Sequence, residues 1–236
     1  MANLTSFRKA LSTLRSDTLF LLRDPNGERY ATARIDEKLN ETCLSFCLRT
    51  QLIKDEINIL LAAADYDYDI KALVAADVTK KPYAFAIRIG YDGDAKPALL
   101  PGSLLAIDLK GYTVGMSGIP QTFYFCATSY GVIQILGAPT EAGDALPLET
   151  GNLQVSYVAM PTPMVAGDPA TIYPDTIPAY FHKYLPYGAA ALILEEGDKK
   201  EMALADYYES EFNKGILEQI SEEYASSTPY DECHPL

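Results

Sequence analysis

The sequence predicts an α+β chain in which an antiparallel helix bundle, built from both chain ends, carries an inserted antiparallel β domain. Three observations predict it. Apolar residues recur at helical spacing before residue 55 and after residue 177. Between these stretches lie short runs rich in Val, Ile, Phe and Tyr, bounded by Gly, Pro, Asp or Asn. The apolar stripes at the two ends each need a partner, and each can cover the other. The predicted boundaries are 1–55 and 173–225 for the bundle, 56–172 for the β domain and 226–236 for an extended C-terminal tail.

In the first helix, "NLTSFRKALSTLRSD", Leu4, Phe7, Leu11 and Leu14 form one apolar face, with Asn3, Thr5 or Ser6 as the cap. "DPNGE" ends it. The second helix is expected from Ala33 to Lys54, where Ile35, Leu39, Cys43, Phe46 and Thr50 recur and Leu44, Leu48 and Leu52 widen the stripe. Next come the expected strands "YDIKALVAADV", "YAFAIRIGYDG", "TFYFCATS", "YGVIQIL" and "NLQVSYVAM", with "LPGSLLAIDLKGY" read as a short helical turn. The third and fourth of these strands form a hairpin within residues 118–143.

From Pro178, which suits a first helical turn, Phe181, Leu185, Ala189, Leu192 and Ile193 share one side. Pro186 within that pattern predicts a kink, because an interior proline removes a hydrogen bond and clashes with the preceding turn. A last helix places Tyr208, Phe212, Ile216, Ile220 and Tyr224 at steps of four, extended by Ala205 and Leu217. Periodicity stops at Tyr224, and Ser226, Ser227 and Pro229 argue against continuation.

Composition narrows the function. With 236 residues and 48% hydrophobic content the chain can bury a substantial core. Its apolar runs are too short to span a bilayer and no signal-peptide pattern opens it, so it is expected to be soluble, cytosolic when made, and without a membrane partner. Net charge is −13, distributed as +3 over residues 1–54, −8 over 55–176 and −8 over 177–236. A nucleic-acid binder needs a basic footprint, and only the mildly basic N-terminal region approaches one.

Chemistry-bearing motifs are sparse. Cys43 and Cys47, one turn apart on a helix, read as core fillers, and His182 and His234 are too few for a metal cluster or a histidine-based triad. "DYDYD" from Asp65 to Asp69 lacks the glycine and distal glutamate of a calcium loop and reads as a solvated loop entering a strand. "GYDGDAK" is turn chemistry. Neither a P-loop, a nucleophile elbow nor GxGxxG is present, so no catalytic residue, cofactor or metal is assigned and the chain is read as a non-enzyme. The seventeen tyrosines suit domain or subunit interfaces, where the ring packs and the hydroxyl finds a partner.

The order of these features resembles the head-to-tail adaptor (connector) proteins of short-tailed bacteriophages. The similar segments are "ARIDEKLNETCLSFCLRT", "DYDIKALVAADV", "LLPGSLLAIDLKGY", "SGIPQTFYFCATSYGVIQILGAPTEAG", "LQVSYVAMPTPM" and "DTIPAYFHKYLPYGAAALILEEGDKKEMALADYYESEFNKGI". Pro186 and the "GAP" that replaces a second strand-end proline depart from the family pattern. The resemblance implies a structural virion protein at the head–tail junction, present in the host cytoplasm during assembly. It implies a homo-oligomeric ring, commonly a dodecamer, that binds the portal protein, receives the tail (nozzle or tail tube, and tail-fibre proteins) and continues the DNA channel. DNA only passes through. Partner binding to the portal is expected of the tail, at Pro229, Tyr230, Asp231, Glu232, Pro235 and Leu236. The alternative is a protein- or carbohydrate-binding module of the virion.

Overall fold

The computed structural model describes residues 8–60, 67–91, 100–101, 122–125, 131–136, 152–168, 174, 176–197 and 201–227. The chain is α+β and divides into two compact units. One comprises Met1–Leu52 with Pro161–Leu236, the other Ile53–Met160. The division falls at Leu52/Ile53 and Met160/Pro161, where the sequence reading put it after residues 55 and 172.

The first unit is helical. Helix α1 spans Leu11–Leu21 and α2 spans Thr32–Thr50. A 3-10 helix at Ala179–Tyr184 runs directly into α4, Leu185–Glu195, and α5 follows at Met202–Ser227; α3, Ile70–Ala76, belongs to the other unit. Helix α4 packs on α1, α2 and α5, so both chain ends contribute to one core. That core holds Leu11, Leu14, Ile35, Leu39, Phe46, Phe181, Leu185, Ala189, Phe212 and Ile216. The Phe46 ring lies 5.8 Å from Phe181 and 6.2 Å from Phe212, centre to centre.

Several expectations are corrected. Helix α1 spans Leu11–Leu21 with Ala10 at its N-cap, while the expected caps Asn3, Thr5 and Ser6, and Leu4 and Phe7 of the expected apolar face, lie outside the described residues. Helix α2 ends at Thr50 because Gln51 adopts a left-handed backbone (φ 50°), and Lys54 already belongs to a strand. Pro186 kinks nothing. It stands in the first turn of α4, where a missing N–H costs no helical bond, and the turn before it is 3-10. Leu217 is not part of the buried stripe, being 63% exposed. Helix α5 also includes Ser226 and Ser227, since serine costs a helix only about half a kcal/mol relative to alanine.

The α1–α2 connection shows how "DPNGE" ends a helix. The Asp24 carboxylate accepts backbone N–H bonds from Glu28, Arg29 and Tyr30 at 2.9, 2.9 and 3.0 Å. Burial works against its ionisation, but these three bonds outweigh burial and hold its carboxyl below the ordinary range. Across the helices, Arg15 forks onto both Asp36 oxygens at 2.9 and 2.7 Å. Asn40 reaches the returning chain by exchanging two hydrogen bonds with the Met164 backbone, 3.1 and 2.7 Å, as a neighbouring strand would.

The second unit holds two small sheets. Strands β1 (Lys54–Leu60), β7 (Asn152–Ala159) and β3 (Tyr83–Tyr91) pair antiparallel in the order β1-β7-β3. Strands β2 (Asp67–Asp69), β6 (Val132–Leu136), β5 (Thr122–Phe125) and β4 (Leu100–Pro101) form the other, in the order β2-β6-β5-β4. The hairpin expected within residues 118–143 is β5–β6, with Thr122 opposite Leu136 and Phe125 opposite Ile133. One pairing, β4 with β5, is parallel rather than antiparallel. The remainder of "LPGSLLAIDLKGY" lies outside the described residues, as do Asp65 and Tyr66 of "DYDYD"; Asp67–Asp69 form β2.

The expected strand "YDIKALVAADV" is in part a helix, α3, at Ile70–Ala76. Asp69 caps it by accepting the Ala72 N–H at 2.9 Å, and Ile70 and Val74, one turn apart, are its buried residues. Its start is tied to β6 by the Ile70 N–H, which donates to the Gly131 carbonyl at 2.9 Å. Gly131 has φ +86°, and a Cβ there would lie 2.7 Å from the Lys71 Cβ, so only glycine fits this approach. Replacing Asp69 with alanine is expected to cost about 1 kcal/mol and to shift the urea midpoint without changing the slope.

Candidate functional site

The tail residues Pro229, Tyr230, Asp231, Glu232, Pro235 and Leu236, expected to bind a partner, lie outside the described residues. What the structure describes is the helix that leads into them. Helix α5 buries Ala205, Tyr208, Phe212 and Ile216 against its own unit. Its other faces carry Met202, Tyr207 (55% exposed) and Leu217, large apolar side chains left in solvent.

A band of paired polar groups runs beside that surface. Tyr184 donates to Glu218 at 2.7 Å, and Lys214 pairs with Glu211 one turn away. The Lys183 ammonium sits over the Tyr180 ring at 3.9 Å and the Tyr184 ring at 4.6 Å, and hydrogen bonding to Tyr180, opposed by burial and aided by Tyr184, favours its charged form. Gly215 permits this packing, since a Cβ there would lie 2.5 Å from the Tyr184 ring. The result is a tyrosine- and charge-bearing surface on the helix that also exposes Tyr207 and Leu217. Periodicity alone put Leu217 in the core; its position one residue past Ile216, at the margin of the stripe, was the available sign that it faces outward.

A second polar cluster ties the start of α2 to the end of α4. Glu196 pairs with both Arg34 and Lys38, and Lys38 also reaches Glu41 at 2.9 Å. Hydrogen bonds from Lys38 and Arg34 hold the Glu196 carboxyl below its usual range, and the bonds to Glu196 and Glu41 push the Lys38 ammonium up. These groups stabilise one another and leave little capacity for a ligand.

In the β unit, Tyr157 is buried and its hydroxyl lies 3.2 Å from Asp55 Oδ2 and 3.0 Å from the Lys81 carbonyl. Burial, then the Asp55 charge, drives the phenol's proton affinity up. For Asp55, burial opposes ionisation, but the Glu56 N–H, Lys80 and the Lys81 N–H outweigh it and keep the carboxylate charged. The Tyr157 ring also lies 5.6 Å from that of Tyr83, tilted by 42°, and the Tyr83 hydroxyl accepts the Ala86 N–H beside a register shift in β3. The cluster fixes the β1–β7–β3 sheet to the turn before β3. No local pattern announces it, because Asp55 and Tyr157 lie far apart in the chain.

Cys43 and Cys47 are buried side chains of α2, and burial pushes the Cys43 thiol up, away from thiolate reactivity. Among the described residues no group of three His, Cys, Asp or Glu side chains could hold a metal ion. No helix among them is long and apolar enough to cross a membrane. Compared with known protein families and with curated proteins, the chain matches none.

Proposed function

We propose that this chain is a structural virion protein, a head-to-tail adaptor whose copies form a ring that joins the portal to the tail and continues the DNA channel. The observation that carries the reading is the assembly of one helical unit from both chain ends, with a β unit inserted between them in the chain. In the adaptor reading the helical unit supplies the ring and the β unit reaches other virion proteins. Exposed Tyr207 and Leu217 support it, because a ring needs apolar surface on the subunit that a monomer does not. The charge of −13 also suits a channel that DNA passes without adhering, if part of it faces the bore.

The test is to mix the purified chain with portal rings and image the particles. A closed ring seated on the portal is the expected result. A monomer that never joins a portal, at low or high salt, would remove the reading. Residues 228–236 serve in this reading as the portal-binding segment. Deleting them leaves α5 whole, so the expected result is weaker portal attachment at an unchanged melting temperature. Attachment at full affinity would discharge the tail from that role.

A further inference from the structure

His182 is 1% exposed, and both of its ring nitrogens are bonded to backbone. Nδ1 accepts the Lys9 N–H at 3.1 Å, and Nε2 lies 2.8 Å from the Ile177 carbonyl, to which it donates. This arrangement requires the neutral ring with its proton on Nε2. Through the His182 ring, 173 positions along the chain from Lys9, it joins the residue that leads into α1 to the turn at Ile177.

We propose that His182 is an acid-sensitive latch: the neutral imidazole holds the backbone at Lys9 against the Ile177 turn, and uptake of a proton at Nδ1 releases it. A protonated Nδ1 would set its own N–H against the Lys9 N–H, two donors face to face with no acceptor between them. The proton therefore enters only as the Lys9 contact opens, and opening and protonation are linked. Among the described residues, the charged and titratable groups on the neighbouring elements are already engaged. The Lys9 ammonium is engaged by Asp17 at 2.6 Å, and Lys183 lies over Tyr180 and Tyr184. Tyr184 is bonded to Glu218, and on α2 the Cys47 sulfur faces Thr176. Arg8 adds another positive charge to the segment that would be freed.

The sign follows from the geometry. The latch is at full strength when imidazole is neutral and weakens as pH falls below about 6.5, the ordinary midpoint of a free imidazole. In that range the opening constant at Lys9 is expected to rise about tenfold per pH unit, one proton being taken up per opening.

The experiment uses the full chain with His234→Gln, which leaves His182 as the single imidazole. Nitrogen NMR of the ring reads the tautomer, and hydrogen exchange, corrected for the intrinsic pH dependence of exchange, reads the opening of the Lys9, Leu39 and Phe46 amides. The expected result is an Nε2–H tautomer near neutral pH and a Lys9 amide that opens on acidification while Leu39 and Phe46 stay protected. His182→Gln, which keeps an uncharged acceptor and donor, should remove the pH dependence at Lys9. An Nδ1–H tautomer, Lys9 protection indifferent to acid, or all three amides opening in step would each overturn the latch. If His182→Gln fails to fold, the titration of the His182 ring beside the Lys9 amide decides the matter alone.

Discussion

Phe46→Ala is expected to destabilise the helical unit by about 3–5 kcal/mol and to lower its melting temperature by roughly 10 °C or more. Phe46 is fully buried on α2 and touches two rings that come from the other end of the chain, Phe181 and Phe212. Truncation removes the side chain that joins the N-terminal helices to the C-terminal ones. The surrounding rings belong to different helices and can close the void only in part, so the cavity adds to the lost transfer energy. Leu217→Ala is the control: on an exposed position the same kind of truncation should stay within about half a kcal/mol. Thermal unfolding followed by circular dichroism reads both. A Phe46→Ala protein that melts within a degree or two of the parent would mean that the two chain ends do not share this core.

Gly188→Ala runs against helix propensity, and that makes it a sharp test of the α2–α4–α5 packing. In an open helix the change would stabilise by about 1 kcal/mol. Here the new Cβ would stand 2.5 Å from Thr42 Cγ2 and 3.0 Å from the Phe212 ring. Thr42 cannot swing aside freely, because its hydroxyl donates to the Lys38 carbonyl at 2.8 Å. A net loss of about 1–3 kcal/mol is expected. Thr42→Ser deletes the obstructing methyl while keeping the hydroxyl, so the double variant should recover part of that loss in a mutant cycle. Gly188→Ala with raised stability would show that the helices do not approach this closely.

How far the sequence reveals this chain depends on the length of each signal. Helix α2 was legible because Ile35, Leu39, Cys43 and Phe46 repeat over several turns and are all buried. The β5–β6 hairpin was legible from its paired apolar runs. Helix α3 was not, since its seven residues hold one buried repeat, Ile70 with Val74, too short to establish a helical period. The cap at Asp69 and the helix-forming Lys71, Ala72 and Leu73 were the signs to weigh against a strand. Pro186 misled for a similar reason: a six-residue 3-10 helix in front of α4 looks like continuous helix at the level of spacing, which moves the proline from the first turn to an apparent interior. Of the candidate site, the tail was read from its composition and from the family resemblance. The latch at His182 and the Asp55–Tyr157 pair depend on contacts across more than a hundred residues, which no local pattern encodes.

Ile53 and Ala159, near the two ends of the β unit, are joined by a 2.9 Å backbone hydrogen bond, and β1 and β7 pair along their whole length. This bears on the order of events during synthesis. Helices α1 and α2 leave the ribosome first, with Leu39 and Phe46 uncovered until α4 and α5 arrive. Were the intervening stretch still unfolded, bringing the two helical halves together would close a loop of roughly a hundred residues, about 3 kcal/mol costlier in chain entropy than a loop of a few. A β unit that has already folded sets its ends side by side and removes most of that cost. Early β folding would therefore speed completion of the helical unit, and a lesion in β1 or β7 would slow it without touching a residue of its core.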